Sequence, residues 1–272
     1  MLEDAERKEA ELDALKALTE ARVDDIEKLQ SDIDTREDDV RRLQELERQQ
    51  EARAIIEVEG EGDRQYLTGL YMGGKHVLIA LDASASMLAE SIINVLRRRH
   101  MSEERKLASP KWQRALATVS WLTAQIPVES HVQIVTFNTE LKTVFLNEDW
   151  VAAIEADRID TAIEGLSEKT PENGTNLLIL FNHIAAMDPR PDNVFLIIDS
   201  LPTQSSREPR KAVVTGQKRF EYFRDAVEEL PQGIPINVIM FPMEGDPQAS
   251  AAYWNLARIT EGTYMSPSRD WP

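Results

Sequence analysis

Hydrophobic positions follow two different patterns along this chain, and the change between them falls near residue 55. In the first part, apolar residues recur in steps of three, four, seven and eleven, at Leu12, Leu15, Ile26, Leu29, Ile33, Val40 and Leu43. These steps fit the a and d positions of a heptad repeat, although Thr19, Arg22 and Arg36 interrupt the seam. The pattern predicts a coiled-coil helix over residues 1–55, paired with a second copy or packed on a partner. A solvated or partly disordered charged segment is the alternative interpretation.

From Lys75 onwards, short apolar runs alternate with amphipathic stretches. The runs cover residues 77–81, 131–137, 142–146, 194–198 and 236–241. Runs of this kind suit strands that are buried on both faces, and strands that alternate with helices indicate a parallel sheet. We therefore expect an α/β domain over residues 75–272, with a doubly wound, mostly parallel sheet. Residues 56–74, which contain Gly60, Gly62, Gly73 and Gly74, are predicted to form a linker and a short hairpin.

Proline marks the start of two predicted helices. Ser109 followed by Pro110 is a typical N-cap with proline in the first helical turn. Asp246 followed by Pro247 repeats this signal, and Gly262 is expected to end the second helix. The tryptophans that we expect in the core are Trp112, Trp121 and Trp254.

Charge and composition exclude several kinds of binding partner and chemistry. The chain of 272 residues has 31 basic and 48 acidic side chains, a formal net charge of −17, and no cysteine. So acidic a protein is not expected to bind nucleic acid or anionic lipid as its main partner. The lack of cysteine excludes disulfides, thiolate zinc sites and cysteine catalysis. The apolar runs are far shorter than the ~20 residues that a membrane-spanning helix needs.

Oxygen-bearing side chains follow two of the predicted strands. Asp82 ends the first strand, Ser84 and Ser86 lie at alternate positions after it, and Asp199 follows the strand at residues 194–198. Alternate residues of an extended segment point to one side, and ligands of doubly wound sheets bind beyond the carboxyl ends of the strands. Oxygen ligands with two carboxylates favour Mg²⁺, and after it Mn²⁺ or Ca²⁺. A capped strand-to-helix turn at Asp82 is the alternative.

Four segments resemble one known family. Residues 77–86, with the sequence VLIALDASAS, resemble the first strand and the Asp-x-Ser-x-Ser motif of von Willebrand factor type A (vWA) domains. In that family the motif opens the metal-ion-dependent adhesion site. Residues 173–176 resemble the family's threonine loop, residues 194–203 its aspartate strand, and residues 253–264 its last helix and edge strand. The resemblance covers about residues 75–267 and implies a Rossmann-like vWA domain behind the coil.

The resemblance implies a specific role for each of five residues. The hydroxyls of Ser84, Ser86 and Thr175 would bind the metal directly, and Asp82 and Asp199 would hold it mainly through water. A glutamate or aspartate from a partner protein would complete the coordination. The chain departs from the family pattern in a stretch of extra residues, roughly 91–109, and at residue 200, where a serine stands in place of the frequent glycine. Neither departure removes a ligand.

Basic residues are expected to surround this site. The extra stretch carries Arg97, Arg98, Arg99 and His100, and the loop after Asp199 is expected to carry Arg207, Arg210, Lys211, Lys218 and Arg219. A basic rim on an acidic protein would favour an acidic ligand and speed its association. The alternative is that these residues are ordinary solvated charges, with residues 97–99 on an exposed helix.

Three classes of function remain. Family members are generally binding modules, so we expect a metal-dependent protein-binding module and no enzymatic activity. A magnesium-dependent phosphohydrolase of the haloacid dehalogenase type is less favoured, because Ser84 stands where those enzymes place a second acid. Ser84 also lies between alanines and not in the nucleophile elbow of serine hydrolases. The third class is a coiled-coil scaffold whose metal site has lost its function.

Partner and location follow from the coil and the head together. Residues 1–55 are expected to mediate homo-oligomerisation or anchoring, and the head is expected to bind an acidic residue of a protein partner. Some bacterial proteins with a similar coil and head carry a membrane span just before the coil. If this sequence is a fragment of such a protein, the head lies in the periplasm or cell envelope and a membrane-anchored partner fits. If it is complete, the protein is cytoplasmic.

Overall fold

The structure, a computed structural model, describes residues 57–60, 64–67, 70, 72–145, 150–206 and 214–271. The chain divides into two units, Met1–Ala54 and Ile55–Pro272, and all of the described residues belong to the second unit. The predicted coiled coil of residues 1–55 therefore lies outside the described residues. Strands β1 (Glu57–Gly60) and β2 (Arg64–Leu67) pair antiparallel within the segment for which we expected a hairpin.

Seven further strands form one sheet. They are β3 (His76–Asp82), β4 (His131–Phe137), β5 (Leu141–Thr143), β6 (Val151–Ala152), β7 (Asn193–Ile198), β8 (Ile236–Met240) and β9 (Tyr264–Met265). Each of the five apolar runs falls on one of these strands. The third of them, β5, ends at Thr143, three residues before the predicted end of the run.

The order of the strands predicts a crevice in the middle of the sheet, between β3 and β7. The strands follow one another as β5-β4-β3-β7-β8-β9, with β6 paired to β4 as well. Counted from β3 and without β6, this is the order 3-2-1-4-5-6 of doubly wound sheets. Strand β3 is parallel to both β4 and β7, whereas β5 and β6 are antiparallel to β4. The expected mostly parallel α/β fold is confirmed, and the order reverses between β3 and β7, where such sheets bind ligands.

Helices cover both faces of the sheet. They are α1 (Ile92–Arg99), α2 (Glu103–Leu107), α3 (Pro110–Gln125), α4 (Ala156–Ser167), α5 (Leu177–Ala186), α6 (Gly216–Glu228) and α7 (Ala249–Ile259). Alternate residues of β3 point to opposite faces, so that Ile79 packs in one core with Trp112 of α3. Leu78 packs in the other core with Phe181 of α5 and Tyr253 of α7. The two cores hold the carboxyl ends of β3 and β7 in place.

Two predictions of local structure are wrong. Asp246 does not cap α7, because the helix begins only at Ala249 and the Asp246 carboxylate accepts a hydrogen bond from the backbone N–H of Leu201 at 2.7 Å. Lys218 and Arg219 do not lie in a loop but in the first turn of α6, whose N-cap Thr215 accepts a hydrogen bond from the Lys218 N–H. At Asp246 the contact with Leu201 replaces the predicted cap. At Lys218 and Arg219 the cap provided by Thr215 starts a helix where a loop was predicted.

No helix among the described residues is both long and apolar enough to cross a membrane.

Candidate metal centre at the carboxyl edge of the sheet

Asp82 is the last residue of β3, and its side chain is completely buried. Its Oδ1 accepts a hydrogen bond from the backbone N–H of Ser84 at 2.7 Å, which closes the chain into a tight turn. Its Oδ2 accepts a hydrogen bond from Thr175 Oγ1 at 3.2 Å. Ala83 and Ala85 are buried beside it, and their small side chains leave room for the turn to pack under the sheet edge. The carboxylate is thereby fixed at the mouth of the crevice.

Ser84 and Ser86 extend a chain of hydrogen bonds from Asp82 toward β7. The two hydroxyl oxygens are 2.8 Å apart, and Ser86 Oγ donates to Asp199 Oδ1 at 2.9 Å. A serine hydroxyl has one proton to donate, so Ser84 is the donor between the two serines. The 3₁₀ helix Ala85–Leu88 begins directly after Ser84 and holds Ser86 in its first turn. Both hydroxyl oxygens therefore lie between the two carboxylates.

Thr175 reaches the site on a loop whose backbone is unusual in two ways. Asn173 has a φ of 64°, a left-handed conformation that asparagine tolerates better than most residues. At Gly174, a Cβ atom would lie 2.4 Å from Thr203 Oγ1, so only glycine fits without a shift. Thr203 Oγ1 accepts a hydrogen bond from the Thr175 N–H at 3.0 Å, and the N–H of Thr203 donates to the carbonyl of Thr175 at 2.9 Å. These contacts join the threonine loop to the segment after β7.

Asp199 follows the last residue of β7, and both of its carboxylate oxygens are engaged. Oδ1 accepts from Ser86, and Oδ2 lies 2.6 Å from the ammonium group of Lys111, the second residue of α3. The side chains of Asp199 and Lys111 are 0% and 2% exposed. Lys111 Nζ also donates to the carbonyl oxygens of Ser86 at 3.2 Å and Ala89 at 3.3 Å. A buried lysine therefore belongs to the site, which the sequence analysis did not anticipate.

The segment after Asp199 is held from the opposite side. Asp246 accepts a hydrogen bond from the Leu201 N–H and forms an ion pair with Arg219 Nη2 at 2.7 Å. Arg219 Nη2 donates to the carbonyl of Leu201 at 2.6 Å, and Tyr253 donates its hydroxyl proton to the carbonyl of Ser200 at 3.1 Å. The side chain of Arg219 is 16% exposed. Its guanidinium is engaged by Asp246 and by the carbonyl of Leu201, so Arg219 is not the solvated rim charge that the sequence predicts.

Burial shapes the acid–base properties of the site. It is the largest cause that raises the pKa of Asp82 from 3.8 to about 7, and the negative charge of Asp199 adds to it. The hydrogen bonds from Ser84 and Thr175 act in the opposite direction and lower the pKa. Tyr253 also has a pKa raised well above its usual value, first by burial and then by the charge of Asp82. Near neutral pH, the protonated and the ionised forms of Asp82 are therefore both populated in the metal-free protein.

All five residues predicted as metal ligands come together at one edge of the sheet. Hydrogen bonds connect Thr175, Asp82, Ser84, Ser86 and Asp199 in that order, and the link between Asp82 and Ser84 is made by the backbone N–H of Ser84. The donor set is two carboxylates and three hydroxyls, which is the chemistry that Mg²⁺ and other hard cations bind. Among the described ranges, no group of three or more His, Cys, Asp or Glu side chains is placed to hold a metal ion. The role of the five residues as ligands remains a prediction.

The helical spacing of Lys111 indicates from the sequence that this lysine is buried. The residues of α3 that are buried include Lys111, Ala115, Thr118 and Leu122, in steps of four, three and four. This spacing puts the lysine on a buried stripe of the helix. A lysine is rarely buried without a charged partner, so its place on that stripe points to a buried acid.

Arg97, Arg98 and Arg99 lie on α1, and His100 follows the helix. The helix is largely exposed, as the alternative interpretation of residues 97–99 requires. Arg97 and Arg98 nevertheless line a groove of about 730 Å³ that also has Lys111 in its wall. Arg98 donates to Ser109 Oγ at 2.9 Å. The predicted rim residues 207, 210 and 211 lie outside the described residues.

In comparisons with known proteins, this chain resembles solved structures. The sequence matches no protein family and no curated protein. An aerotolerance-related membrane protein from Bacteroides fragilis NCTC 9343 is 17% identical, with a TM-score of 0.43 over 72% of this chain and 92% of that one. BatB from Bacteroides thetaiotaomicron is 18% identical, with a TM-score of 0.40 over 71% of this chain and 89% of that one.

A third similar structure carries the family name suggested by the sequence motifs. A von Willebrand factor type A protein from Catenulispora acidiphila is 13% identical, with a TM-score of 0.43 over 72% of this chain. The match covers 39% of that protein. Similarities this loose carry no residue roles into this chain, so the candidate site rests on its own geometry.

Proposed function

We propose that this protein is a vWA-type binding module that uses a divalent cation, Mg²⁺ first, to bind an acidic residue of a partner protein. The observation that carries the proposal is the convergence of five oxygen-bearing side chains beyond the carboxyl ends of β3 and β7. This is the point where the strand order reverses and where doubly wound sheets bind ligands. The five residues come from three separate segments of the chain, which a simple capped turn at Asp82 would not require.

Each residue has a role that follows from its chemistry. The hydroxyls of Ser84, Ser86 and Thr175 would be direct ligands, and the carboxylates of Asp82 and Asp199 would hold the ion through water. Neutral hydroxyl ligands withdraw less of the charge of a divalent cation than directly bound carboxylates would, and the bound metal would supply an electrophilic position for an anionic oxygen. The protein holds the ligands in place, because the threonine loop and the segment after β7 are tied together by the contacts of Thr175 and Thr203.

The groove beside the site supports an acidic partner. Its wall includes the basic residues Arg97, Arg98, Arg114 and Arg269, and the acidic residues Glu90 and Glu244. Glu90 pairs with Arg114 at 3.4 Å and with Arg269 at 2.7 Å. A basic groove on a protein with a net charge of −17 favours a local anionic ligand and raises its rate of association. The coil at residues 1–55 completes the proposal as an oligomerisation or anchoring segment.

One observation favours a second candidate, a scaffold whose metal site has lost its function. Lys111 already neutralises Asp199 at 2.6 Å, so that the second carboxylate has a cation without any metal. On this view residues 1–55 carry the function and the head is a structural unit. Enzymatic activity is the least favoured class, because Ser84 offers no second acid beside Asp82 and accepts no hydrogen bond from a histidine in the contacts described above.

Metal binding by a hydroxyl-deleted variant distinguishes the binding module from the scaffold. We expect the wild-type protein to bind Mn²⁺, followed by the loss of the free-Mn²⁺ EPR signal, and Thr175→Val to bind it at least tenfold more weakly. The matched control is Thr118→Val, because Thr118 is equally buried and donates only to the carbonyl of Arg114 on α3. Equal affinity of Thr175→Val and the wild type, or no binding by the wild type, would support the scaffold. Turnover of p-nitrophenyl phosphate with Mg²⁺ that is lost in Ser84→Ala would support the enzyme.

A further inference from the structure

Lys111 is held as firmly as any side chain of the site. An ammonium group has three N–H donors, and three oxygen atoms lie within reach of this one. They are Asp199 Oδ2 at 2.6 Å, the carbonyl of Ser86 at 3.2 Å and the carbonyl of Ala89 at 3.3 Å. Both carbonyls belong to the turn that presents the serine hydroxyls. Lys111 is therefore attached at once to the aspartate and to the serine segment.

Lys111 borders the groove, but its ammonium group is already engaged by three oxygen atoms of the protein. Its side chain is 2% exposed, so that it meets the site only through Asp199 and through the backbone of the serine turn. Burying a charged lysine costs free energy unless a charge and hydrogen bonds compensate it, and here both do. The residue thus acts on the site through its charge and through the position that it gives to Asp199.

Counting charges shows what this lysine changes. Two ionised carboxylates, Asp82 and Asp199, would neutralise a divalent cation and leave the loaded site without net charge. With the buried ammonium included and both carboxylates ionised, the empty site carries a charge of about −1 and the loaded site about +1. Attraction for the metal is therefore weaker, and attraction of the loaded site for an anion is stronger, than the two carboxylates alone would give.

We propose that Lys111 is a built-in counter-ion that lowers the metal affinity of the site and makes the metal-loaded site selective for an anionic ligand. This inference rests on the proposed metal-dependent function. It also explains how the serine turn and Asp199 keep their places without metal, because the ammonium bridges them. Lys111 is a positioning residue.

The test uses Lys111→Met, which keeps an unbranched side chain one atom shorter than that of lysine and removes the charge. The probe is Mn²⁺ alone, measured by EPR and by calorimetry on the full chain. We expect Lys111→Met to bind Mn²⁺ at least tenfold more tightly than the wild type. Its melting temperature should fall without metal, because two buried carboxylates then face each other, and should rise more than that of the wild type when Mn²⁺ is added. Lys75→Met is the matched control, since Lys75 is exposed just before β3, at the opposite end of that strand, and it should leave both quantities unchanged.

A second readout concerns the anion. With acetate as the probe and water-proton relaxation of the Mn²⁺-loaded site as the signal, we expect acetate to bind the wild type at least threefold more tightly than Lys111→Met. A purely structural lysine would lower stability with and without metal alike and would leave the acetate preference unchanged. If Lys111→Met does not fold, Lys111→Gln serves in its place, because its amide can still donate to the carbonyl oxygens.

The outcomes separate this inference from the function on which it rests. Unchanged or weaker Mn²⁺ binding by Lys111→Met, beside measurable binding by the wild type, would overturn the counter-ion and leave the metal site standing. Binding by Lys111→Met alone would support the counter-ion and contradict a metal-dependent function of the wild type. Absence of binding in both proteins would contradict both proposals.

Discussion

Thr175 and Asp82 are separated by 93 residues, and the hydroxyl of Thr175 donates to the carboxylate of Asp82 at 3.2 Å. Two different structural elements bring them together. The sheet fixes Asp82 at the end of β3, while the backbone contacts of Thr203 fix the threonine loop. The site is therefore assembled by the tertiary fold, and changes at its supports are expected to alter metal binding as much as changes at the ligands.

The first prediction concerns pH. In the metal-free protein the pKa of Asp82 is raised, mainly by burial, from 3.8 to about 7. Between these values the folded protein holds a proton that the unfolded chain has lost, so stability falls as the pH rises from about 4 to about 7. The loss attributed to Asp82 is up to about 1.4 kcal/mol per pH unit. Thermal unfolding of the wild type and of Asp82→Asn at several pH values measures this loss of stability between pH 4 and pH 7. The loss attributed to Asp82 should be absent in the variant.

The same titration predicts that metal and proton compete. A cation needs the ionised carboxylate, so Mg²⁺ should bind more tightly as the pH rises through about 7 and should release protons as it binds. Calorimetry in buffers of different ionisation enthalpy counts the protons released. Tighter Mg²⁺ binding at pH 5 than at pH 8 would show that Asp82 does not take part.

The second prediction concerns the support beneath the segment after β7. Arg219→Met removes the partner of the buried Asp246 and the donor to the carbonyl of Leu201. Breaking a largely buried ion pair costs about 3 kcal/mol, and we expect a loss of this size in chemical denaturation. Weaker Mn²⁺ binding should accompany it, because Asp199 and Thr203 lie on either side of Leu201.

The control for Arg219 lies next to it on α6. Lys218→Met breaks a surface ion pair with Glu221, in which the side chains are 49% and 38% exposed. Such pairs contribute little, so neither stability nor Mn²⁺ affinity should change measurably. If the two substitutions changed stability and Mn²⁺ affinity equally, the contacts of Arg219 with Asp246 and Leu201 would not be what supports the site.

The third prediction compares two glycines. Gly174→Ala would bring a Cβ atom to 2.4 Å from Thr203 Oγ1, which must displace either the threonine loop or Thr203. We expect a loss of Mn²⁺ affinity and a lower melting temperature. Gly165→Ala is the matched substitution, because Gly165 lies inside α4 and a Cβ atom there has no neighbour within 4 Å. An alanine at that position should stabilise the protein by about 0.5–1 kcal/mol. A melting temperature and a Mn²⁺ affinity unchanged by Gly174→Ala would contradict the close approach at Gly174.

The sequence is informative wherever apolar runs decide the structure. The runs at residues 77–81 and 194–198 mark buried strands because short, continuous apolar segments suit strands that are covered on both faces. The positions of Asp82 and Asp199 at the sheet edge then follow directly. The place of Thr175 follows from its motif alone, because nothing local shows that its loop meets Thr203. The structure then supplies the contacts that bring the three residues together.

The errors share a physical cause. Lys111, Arg219 and Asp246 were each interpreted, or passed over, as ordinary surface or capping residues, and each is in fact held by a partner distant in sequence. Trp254 was expected in the core, yet it is 54% exposed on α7, while Trp112 is completely buried as expected. Local pattern predicts which residues are apolar or charged. It does not predict which charged residues find a buried partner.

Anomalous diffraction from crystals grown with Mn²⁺ tests the central claim most directly. The account predicts one strong peak within coordination distance of the hydroxyl oxygens of Ser84, Ser86 and Thr175, with Asp82 and Asp199 joined to it through water and one coordination position facing solvent. A peak elsewhere, or Mn²⁺-saturated crystals in which these three hydroxyls bind no ion, would contradict it.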